Sequence, residues 1–253
     1  MRIKRIIPCL LLRNNGLVKT VRFRDSVYVG DPINAVRIFN EKEVDELIFL
    51  DIDATGNRKE PPFGMIRKLA GECFMPFAYG GGISSIEQIE EIIKSGAEKI
   101  IINTMAFQKK DFIAEAVNRF GSSTIVVSVD VKKKFTGRYS VYVNGGRSDT
   151  GKNPAEYAIE MENKGAGEIF INSIDRDGTM EGYDLELIKS VSSSVKVPVI
   201  ACGGAGNLND LKLAVSDGGA SAAAAGSLFV FHGKRRAVLI TYPSYKEISG
   251  LFS

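Results

Sequence analysis

The chain has one carboxylate in a position suited to acid–base chemistry. Asp130 ends the apolar run IVVSV, which predicts a buried strand. Because side chains alternate along a strand, Asp130 and Ser128 should point to the same side, into the interior of a closed sheet. A carboxylate held there is a candidate general acid or base, and a helix cap or structural ion pair is the alternative.

Two glycine-rich turns follow other apolar runs, VIACGGAG at residues 199–206 and FAYGGGI at residues 77–83. Glycine has no Cβ, so backbone N–H groups in such turns can approach a ligand closely. A helix predicted from about Asn207 would add its first free N–H groups, which makes a ready site for an anion. The alternative is a tight turn that binds nothing.

The two turns belong to a repeat. Gly203 follows Gly80 by 123 positions, and the pairs Asn103-Thr104 and Gly226-Ser227 each follow their own turn by 23 positions. Self-similarity at a fixed spacing is an architectural signal. We therefore expect two similar halves.

Strand and helix signals alternate along the whole chain. Strands are predicted at residues 5–12, 46–51, 74–79, 99–103, 124–132, 168–172, 197–202 and 221–225, with helices between them and a hairpin inserted at 135–147. Eight strands alternating with helices predict an α/β fold. We expect a (β/α)₈ TIM barrel of two similar half-barrels, with a β-hairpin insert after strand five, as a single domain over residues 1–253.

Two segments fit this scheme less well. A long polar segment before Gly30 is predicted to be a functional or mobile loop, in which Lys19 either closes over an anion or stays a solvated surface lysine. After Phe229 the chain is β-branched and Pro243 interrupts it, so no ordinary eighth helix is expected.

The active sites of such barrels lie at the carboxyl ends of the strands. Both glycine turns and Asp130 are predicted at that end, and so are Asn103, Thr104, Asp177, Gly178 and Ser227. Turns on opposite halves predict two anion sites across one mouth, for a ligand that carries two phosphates. The alternative is that one or both turns are vestigial.

Composition excludes several classes of function. The 253 residues are 44% hydrophobic and 25% charged, with a net charge of +3, which is too small to indicate nucleic acid or a membrane surface as partner. No apolar run approaches the ~18 residues of a membrane span. Cys9, Cys73 and Cys202 have no metal or disulfide spacing, so we expect no metal, no cofactor and a cytoplasmic protein.

Several motifs together carry a resemblance. KRIIPCL, DELIFLDI, GGGI, INT, VDVK, GAGEIFINSIDRDGT, PVIACGGAG and AAGSLF occur in this order and resemble the cyclase subunit of imidazole glycerol phosphate synthase over about residues 1–231. The resemblance implies a lyase of the histidine-biosynthesis family, built as a (β/α)₈ barrel. It also implies a doubly phosphorylated ribulosyl-aminoimidazole carboxamide nucleotide as substrate. A glutaminase subunit would dock at the barrel bottom and send ammonia through its centre.

The resemblance assigns roles to individual residues. It implies one phosphate site at Gly82, Asn103 and Thr104, and a second at Asp177, Gly178, Gly204, Gly226 and Ser227. Lys19 of the polar segment is a further candidate for phosphate binding, from its position rather than from the resemblance. Asp130 resembles one of two catalytic aspartates. Arg5, Glu46, Lys99 and Glu168 coincide with a salt-bridged gate on the ammonia route, and solvated strand ends are the alternative. Glu98 stands where the family often has an aspartate that helps to dock the glutaminase.

The second catalytic aspartate is missing. The family reads C-L-D-V-K after strand one, whereas this chain has Cys9, Leu10, Leu11, Leu12 and Arg13, with Leu11 at the carboxylate position. Losing one acid–base group typically costs ~10²–10⁴ in rate. Asp53, at the end of the neighbouring strand, is the candidate for a displaced carboxylate.

CLLLR, GLVKTVRF, YVGDPINAVRIFNEKEVDEL and the tail VFHGKRRAVLITYPS resemble a divergent branch that acts in acetamidino-sugar formation for lipopolysaccharide and other bacterial surface polysaccharides. This implies a barrel that conducts ammonia from a glutaminase to a sugar amidotransferase, which could meet the barrel top. Two alternatives stay open: a working histidine-pathway cyclase, and a non-catalytic phosphate sensor or scaffold. Whether the chain is itself an enzyme is open for the same reason.

Overall fold

A computed structural model describes residues 4–56, 59–233 and 235–252; Lys234 of the tail motif lies outside them. The strands are β1 (Arg5–Arg13), β2 (Gly16–Val21), β3 (Arg24–Gly30), β4 (Leu47–Asp51), β5 (Phe77–Gly80), β6 (Lys99–Ile102), β7 (Ile125–Lys133), β8 (Tyr139–Val143), β9 (Ser148–Asp149), β10 (Glu168–Ser173), β11 (Val199–Cys202), β12 (Ala222–Ala225), β13 (Phe231–His232) and β14 (Ala237–Val238).

The helices are α1 (Pro32–Glu41), α2 (Phe63–Glu72), α3 (Ile86–Lys94), α4 (Thr104–Gln108), α5 (Phe112–Phe120), α6 (Pro154–Asn163), α7 (Leu185–Ser192), α8 (Leu208–Ser216), α9 (Ser227–Val230) and α10 (Tyr245–Leu251), with a 3₁₀ turn at Ser122–Thr124. Helix starts follow their side-chain caps: Asp31 accepts from the N–H of Asn34 before α1, and Asn153 accepts from two N–H groups of α6. Before α3, the Ser85 side chain accepts from the N–H of Gln88.

Eight of the described strands form a closed parallel barrel in the order β1, β4, β5, β6, β7, β10, β11 and β12. Strand β1 closes the ring because it pairs in parallel with both β12 and β4. The predicted (β/α)₈ barrel is confirmed, and so is the hairpin after the fifth barrel strand, where β8 pairs antiparallel with the end of β7.

The two halves are also visible in the backbone. Asn103 and Gly226 precede the short helices α4 and α9, which follow equivalent barrel strands. Their backbone angles are nearly the same, φ −114° and ψ −79° against φ −111° and ψ −67°. The equal spacing in the sequence thus reflects equal local structure.

Two barrel strands begin later than predicted. Strand β5 begins at Phe77 and β11 at Val199, each directly after a proline, Pro76 or Pro198. Proline has no N–H to donate to a strand ladder, so regular pairing begins at the next residue.

The prediction of a mobile polar loop before Gly30 is wrong. Residues 16–30 form an antiparallel hairpin, β2 and β3, and β2 pairs with the end of β1. Asn14 and Asn15 make the turn between β1 and β2, with φ of 48° and 62°, and Arg22 and Phe23 make the turn between β2 and β3, with φ of 52° and 60°. The pair Asn-Asn is a local signal for the first turn, whereas Arg-Phe is no such signal for the second.

The expectation for the tail is wrong too. After Pro243, helix α10 begins with a capping box in which Ser244 and Glu247 satisfy each other's backbone N–H groups. The hydroxyl of Tyr242 donates to the carbonyl of Ile6 at 2.8 Å and so ties the tail to β1. Proline disfavours the interior of a helix but does not prevent a helix that starts two residues later.

The hydrophobic core has two layers. Alternate residues of β1 show the division: Ile6, Leu10 and Leu12 pack outward with the helices, whereas Ile7 and Cys9 lie in the barrel interior. The interior cluster consists of small or aliphatic side chains with one phenylalanine, namely Ile7, Cys9, Ile48, Ala78, Ile101, Val126, Phe170, Ile200, Cys202, Ala222 and Ala224.

Gly167 precedes β10, and a Cβ at this position would overlap the carbonyl oxygen of Ser122. Gly167→Ala should lower the free energy of unfolding by about 2 kcal/mol or more, because backbone has to move. Gly71→Ala in α2 is the control, since its Cβ would meet nothing within 4 Å, and it should be neutral or stabilising by up to about 1 kcal/mol. Urea unfolding measures both, and equal effects would contradict the packing argument.

Candidate functional site

The carboxyl ends of the barrel strands surround a cavity, the mouth, with about 1360 Å³ of empty space that opens to solvent. Its lining includes every residue predicted for catalysis or phosphate binding, namely Asp130, Gly82, Asn103, Thr104, Asp177, Gly178, Gly204, Gly226, Ser227 and Lys19. The fold therefore brings together residues that are up to about two hundred positions apart.

Asp130 stands on β7 and is only 8% exposed. Burial raises the pKa of Asp130 to about 7; the Ser128 hydroxyl, which donates to its Oδ1 at 3.0 Å, opposes this rise, and the charge of Asp177 adds to it. A carboxyl group that titrates near neutral pH can both give and take a proton.

Leu11 lines the mouth on β1 and is 8% exposed. Strands β1 and β7 are four places apart in the eight-stranded ring, so Leu11 and Asp130 lie on opposite sides. Leu50, on the neighbouring strand β4, also lines the mouth and, with Leu11, forms an apolar wall on the side away from the carboxyl group. A hydrocarbon side chain cannot carry a proton, so this wall supplies no partner for Asp130.

Asp53, the candidate for a displaced carboxylate, is held elsewhere. Its Oδ1 pairs with Arg13 at 2.8 Å, and Asp53 is not among the described residues that line the mouth. The neighbouring Asp51 does line it. Burial raises the pKa of Asp51, while the N–H groups of Asp53 and Ala54, which donate to its Oδ1, counteract the rise.

Lys19 differs from its prediction. It lies on β2 rather than in a mobile loop, and it is only 5% exposed. Its ammonium group has no ion-pair partner among the described residues and lies against Gly226, where a Cβ would overlap it. Beside it, the Oγ of Ser227 is buried without a hydrogen-bond partner. A buried cation and an unpaired hydroxyl facing one cavity are suited to an anion.

Part of the anion site predicted at the GGAG turn at 203–206 is used within the protein. Asp210 accepts from the N–H groups of Gly206 and Asn207, and Asn207 accepts from the N–H of Asp210, so this capping box uses some of the amides expected to be free. Glycine is also required at position 204 for packing, because a Cβ there would overlap the carbonyl oxygen of Gly182.

The predicted phosphate site at Gly82, Asn103 and Thr104 has internal partners. The N–H of Gly82 donates to Thr55 Oγ1 at 3.2 Å, and the Asn103 amide donates to the Ser128 carbonyl at 3.1 Å. Thr104 Oγ1 accepts from the N–H of Asn144 in the inserted hairpin at 3.1 Å. The polar groups named on this side of the mouth are largely hydrogen-bonded within the protein, whereas those on the Lys19 side are not.

Two arginines at the mouth went unnoticed in the sequence. Arg13 lines the mouth with its Nε buried and unpartnered, while its other nitrogens donate to Ser26 and Asp53. Arg147 lies against Gly56 from the inserted hairpin. Neither has a local sequence signal, because their position depends on the two hairpins folding over the mouth.

The four charged residues at the opposite end form a closed set of ion pairs, which we call the floor ring. Arg5 contacts Glu46 at 2.7 Å and Glu168 at 2.9 Å. Lys99 contacts the same two carboxylates at 3.1 and 3.2 Å. Burial alone would lower the pKa of Arg5, but the two carboxylates outweigh it and raise the pKa.

Among the described residues, no group of three or more His, Cys, Asp or Glu side chains could hold a metal ion. In the same ranges, no helix has the length and apolar character needed to cross a membrane.

The raised pKa of Asp130 has a consequence for stability. An acid that binds its proton more tightly when folded makes folding less favourable as the pH rises from its ordinary pKa of 3.8 to about 7. Asp130→Asn should remove this decline, which amounts to at most ~1.4 kcal/mol per pH unit. Urea unfolding of both proteins across that range measures it, and an identical pH dependence would contradict the raised pKa.

Comparison with known proteins gives concordant results. A family model described as "Histidine biosynthesis protein" matches residues 5–235. "Putative imidazole glycerol phosphate synthase subunit hisF2" of Pseudomonas aeruginosa is 54% identical over 245 residues, 97% of this chain and 98% of that protein. "Imidazole glycerol phosphate synthase subunit HisF" of Alkaliphilus metalliredigens is 44% identical over 229 residues, 90% of this chain and 91% of that protein. The chain belongs to the histidine biosynthesis protein family, and it is similar to members that bear the name of the synthase subunit HisF.

Proposed function

We propose that this barrel conducts ammonia, made by a glutaminase subunit at its floor, to an acceptor at its mouth and does not itself close an imidazole ring. The proposal rests on Leu11, an apolar side chain at a position where a proton carrier would be needed. Cyclisation with elimination needs protons moved in both directions, and the mouth presents Asp130 on one side and the apolar wall on the other.

The barrel interior supports a conduit for a neutral molecule. Between the floor ring and the mouth, the side chains of the interior cluster are aliphatic, aromatic or thiol groups. Such a lining disfavours ammonium, whose charge would lose its hydration, far more than it disfavours neutral ammonia.

The outer face of the floor supports a docking partner there. Phe74 is 88% exposed beside the start of β5, and Glu98 lies next to it along a shallow groove with Met75 and Pro76. An exposed aromatic side chain next to a carboxylate and the floor ring suits a protein that delivers ammonia at this end.

The acceptor we propose is the nucleotide sugar of an acetamidino-forming amidotransferase, as the resemblance of the CLLLR segment and the tail implies. The open mouth, with exposed hairpins around it, leaves room for a second enzyme above the barrel. Lys19 and Ser227, which have no ion-pair or hydrogen-bond partner among the described residues, support the proposal that a phosphorylated small molecule binds there.

The alternative is a working imidazole glycerol phosphate synthase cyclase that converts the phosphoribulosyl aminoimidazole carboxamide nucleotide and ammonia. The names of the relatives fit this alternative at least as well. Asp130, with a pKa near neutral, fits it also, and Asp177 lies close enough to influence Asp130. A cyclase of this kind would have to use a carboxylate other than one at position 11.

Leu11→Asp tests the proposal directly. The native chain should give no measurable imidazole product from the nucleotide and ammonium, and Leu11→Asp should raise turnover by ~10²–10⁴ because it places a second proton carrier opposite Asp130. Leu50→Asp, on the neighbouring strand in register with Leu11, is the matched control and should gain nothing. Ordinary enzymic turnover by the native chain, abolished in Asp130→Asn, would establish the alternative instead.

Lys99→Ala tests the floor ring. Removing the ammonium group leaves Glu46 and Glu168 with one shared cation, so the ring should open and ammonia should escape. The glutamine consumed per amidotransfer product should rise in the reconstituted complex. Lys109→Ala, which breaks an exposed ion pair with Glu115, is the control and should leave that ratio unchanged. An unchanged ratio in Lys99→Ala would count against the gate.

A further inference from the structure

The tail beyond the barrel makes a contact that the proposed function does not use. The turn between β13 and β14 brings Arg236 over the loop that follows β10. There its Nη2 donates to the carbonyl of Gly178 at 3.2 Å and to that of Thr179 at 3.3 Å. An arginine near the end of the chain thus holds the backbone beside a predicted phosphate-binding residue.

The same loop is held from a second side. The N–H of Arg22, in the β2–β3 turn, donates to the carbonyl of Asp177 at 2.9 Å. Because the C=O and N–H of a trans peptide point in opposite directions, the N–H of Gly178 is turned away from Arg22. It has no acceptor among the described residues, and Gly178 lines the mouth.

Arg22 therefore fixes the peptide before Gly178, and Arg236 fixes the peptide after it. Glycine is required between them, since its φ is +71° and a Cβ would overlap the carbonyl oxygen of Thr20. The peptide after Gly178 is also held from within the loop, because the N–H of Thr179 donates to the carbonyl of Arg176 at 3.1 Å. Arg236 adds two hydrogen bonds to the carbonyls of this stretch and restricts its backbone further.

The groups beside this loop at the mouth are suited to an anion. The buried ammonium of Lys19 and the unpartnered hydroxyl of Ser227 are described above, and Ser227 begins the same tail that carries Arg236. The tail thus provides one side of the pocket through Ser227 and orients another through Gly178.

We propose that Arg236 is a positioning residue for this pocket, which takes a phosphate monoester dianion. Its two hydrogen bonds hold the Gly178 N–H toward the anion, and its side chain acts through the loop rather than on the ligand. The inference rests on the phosphate-binding part of the proposed function and is independent of ammonia conduction.

The test is a titration of the ¹⁵N-labelled full-length protein with inorganic phosphate, followed by amide chemical shifts. Signals of Gly178, Gly226 and Ser227 report this pocket, and those of Gly82 and Thr104 report the opposite one. Arg236→Gln should weaken phosphate binding at the first group by about three- to tenfold, as expected for two lost hydrogen bonds, and leave the second group unchanged. Arg236→Lys should retain part of the affinity.

Arg235→Gln is the matched control, because Arg235 is exposed, lies in the same turn, and loses the same charge. It should change binding by less than about twofold, which separates positioning from long-range attraction. Equal weakening by Arg235→Gln and Arg236→Gln, or equal weakening at both groups of signals, would overturn the inference. If Arg236→Gln does not fold, Arg236→Lys compared with Arg235→Lys decides by the same criterion.

Native protein whose Gly226 and Ser227 signals do not respond to phosphate would overturn both the inference and the phosphate-binding part of the proposed function. Ammonia conduction would be untouched by that result, since the Lys99→Ala ratio tests it separately.

Discussion

Closure of the barrel through β1 is the constraint on which the other features depend. Parallel pairing of β1 with β12 on one side and β4 on the other fixes its register, so every second side chain must face the interior. Arg5, Ile7, Cys9 and Leu11 therefore form one inward line, from the floor ring through the apolar lumen to the mouth. A shift by one residue would exchange this whole line with the outer core.

The two ends of that line have different electrostatics. At the floor, each cation contacts both carboxylates, so the charges are compensated within the ring, and removing one partner leaves others uncompensated. At the mouth, Lys19 is buried and has no ion pair among the described residues, and Asp130 is protonated part of the time near neutral pH. The closed ring suits control of passage, and the open mouth suits binding.

The sequence predicts well those features that are encoded in the periodicity of apolar residues and in the spacing of glycine turns. The barrel strands, the repeat and the residues that line the mouth follow from apolar runs with glycine turns at their ends. The β2–β3 hairpin was missed because its turn consists of Arg22 and Phe23, which are not typical turn residues. The pairing of Arg13 with Asp53 and the contact of Arg236 with Gly178 depend on segments 40 and 58 positions apart. Local patterns carry no information about such partners. The number of free N–H groups at the start of α8 was overestimated, because Asp210 lies in the helix and its side chain also accepts from the backbone N–H before it.

In the function that we propose, the floor admits ammonia, the lumen carries it as a neutral molecule, and the mouth binds a phosphorylated group without a proton carrier at position 11. The most direct measurement follows nitrogen from amide-¹⁵N glutamine through the native chain with its glutaminase subunit, in the presence of the phosphoribulosyl aminoimidazole carboxamide nucleotide. We predict that the label leaves as ammonia and that no labelled imidazole forms. Label in an imidazole ring at ordinary enzymic speed would contradict the account.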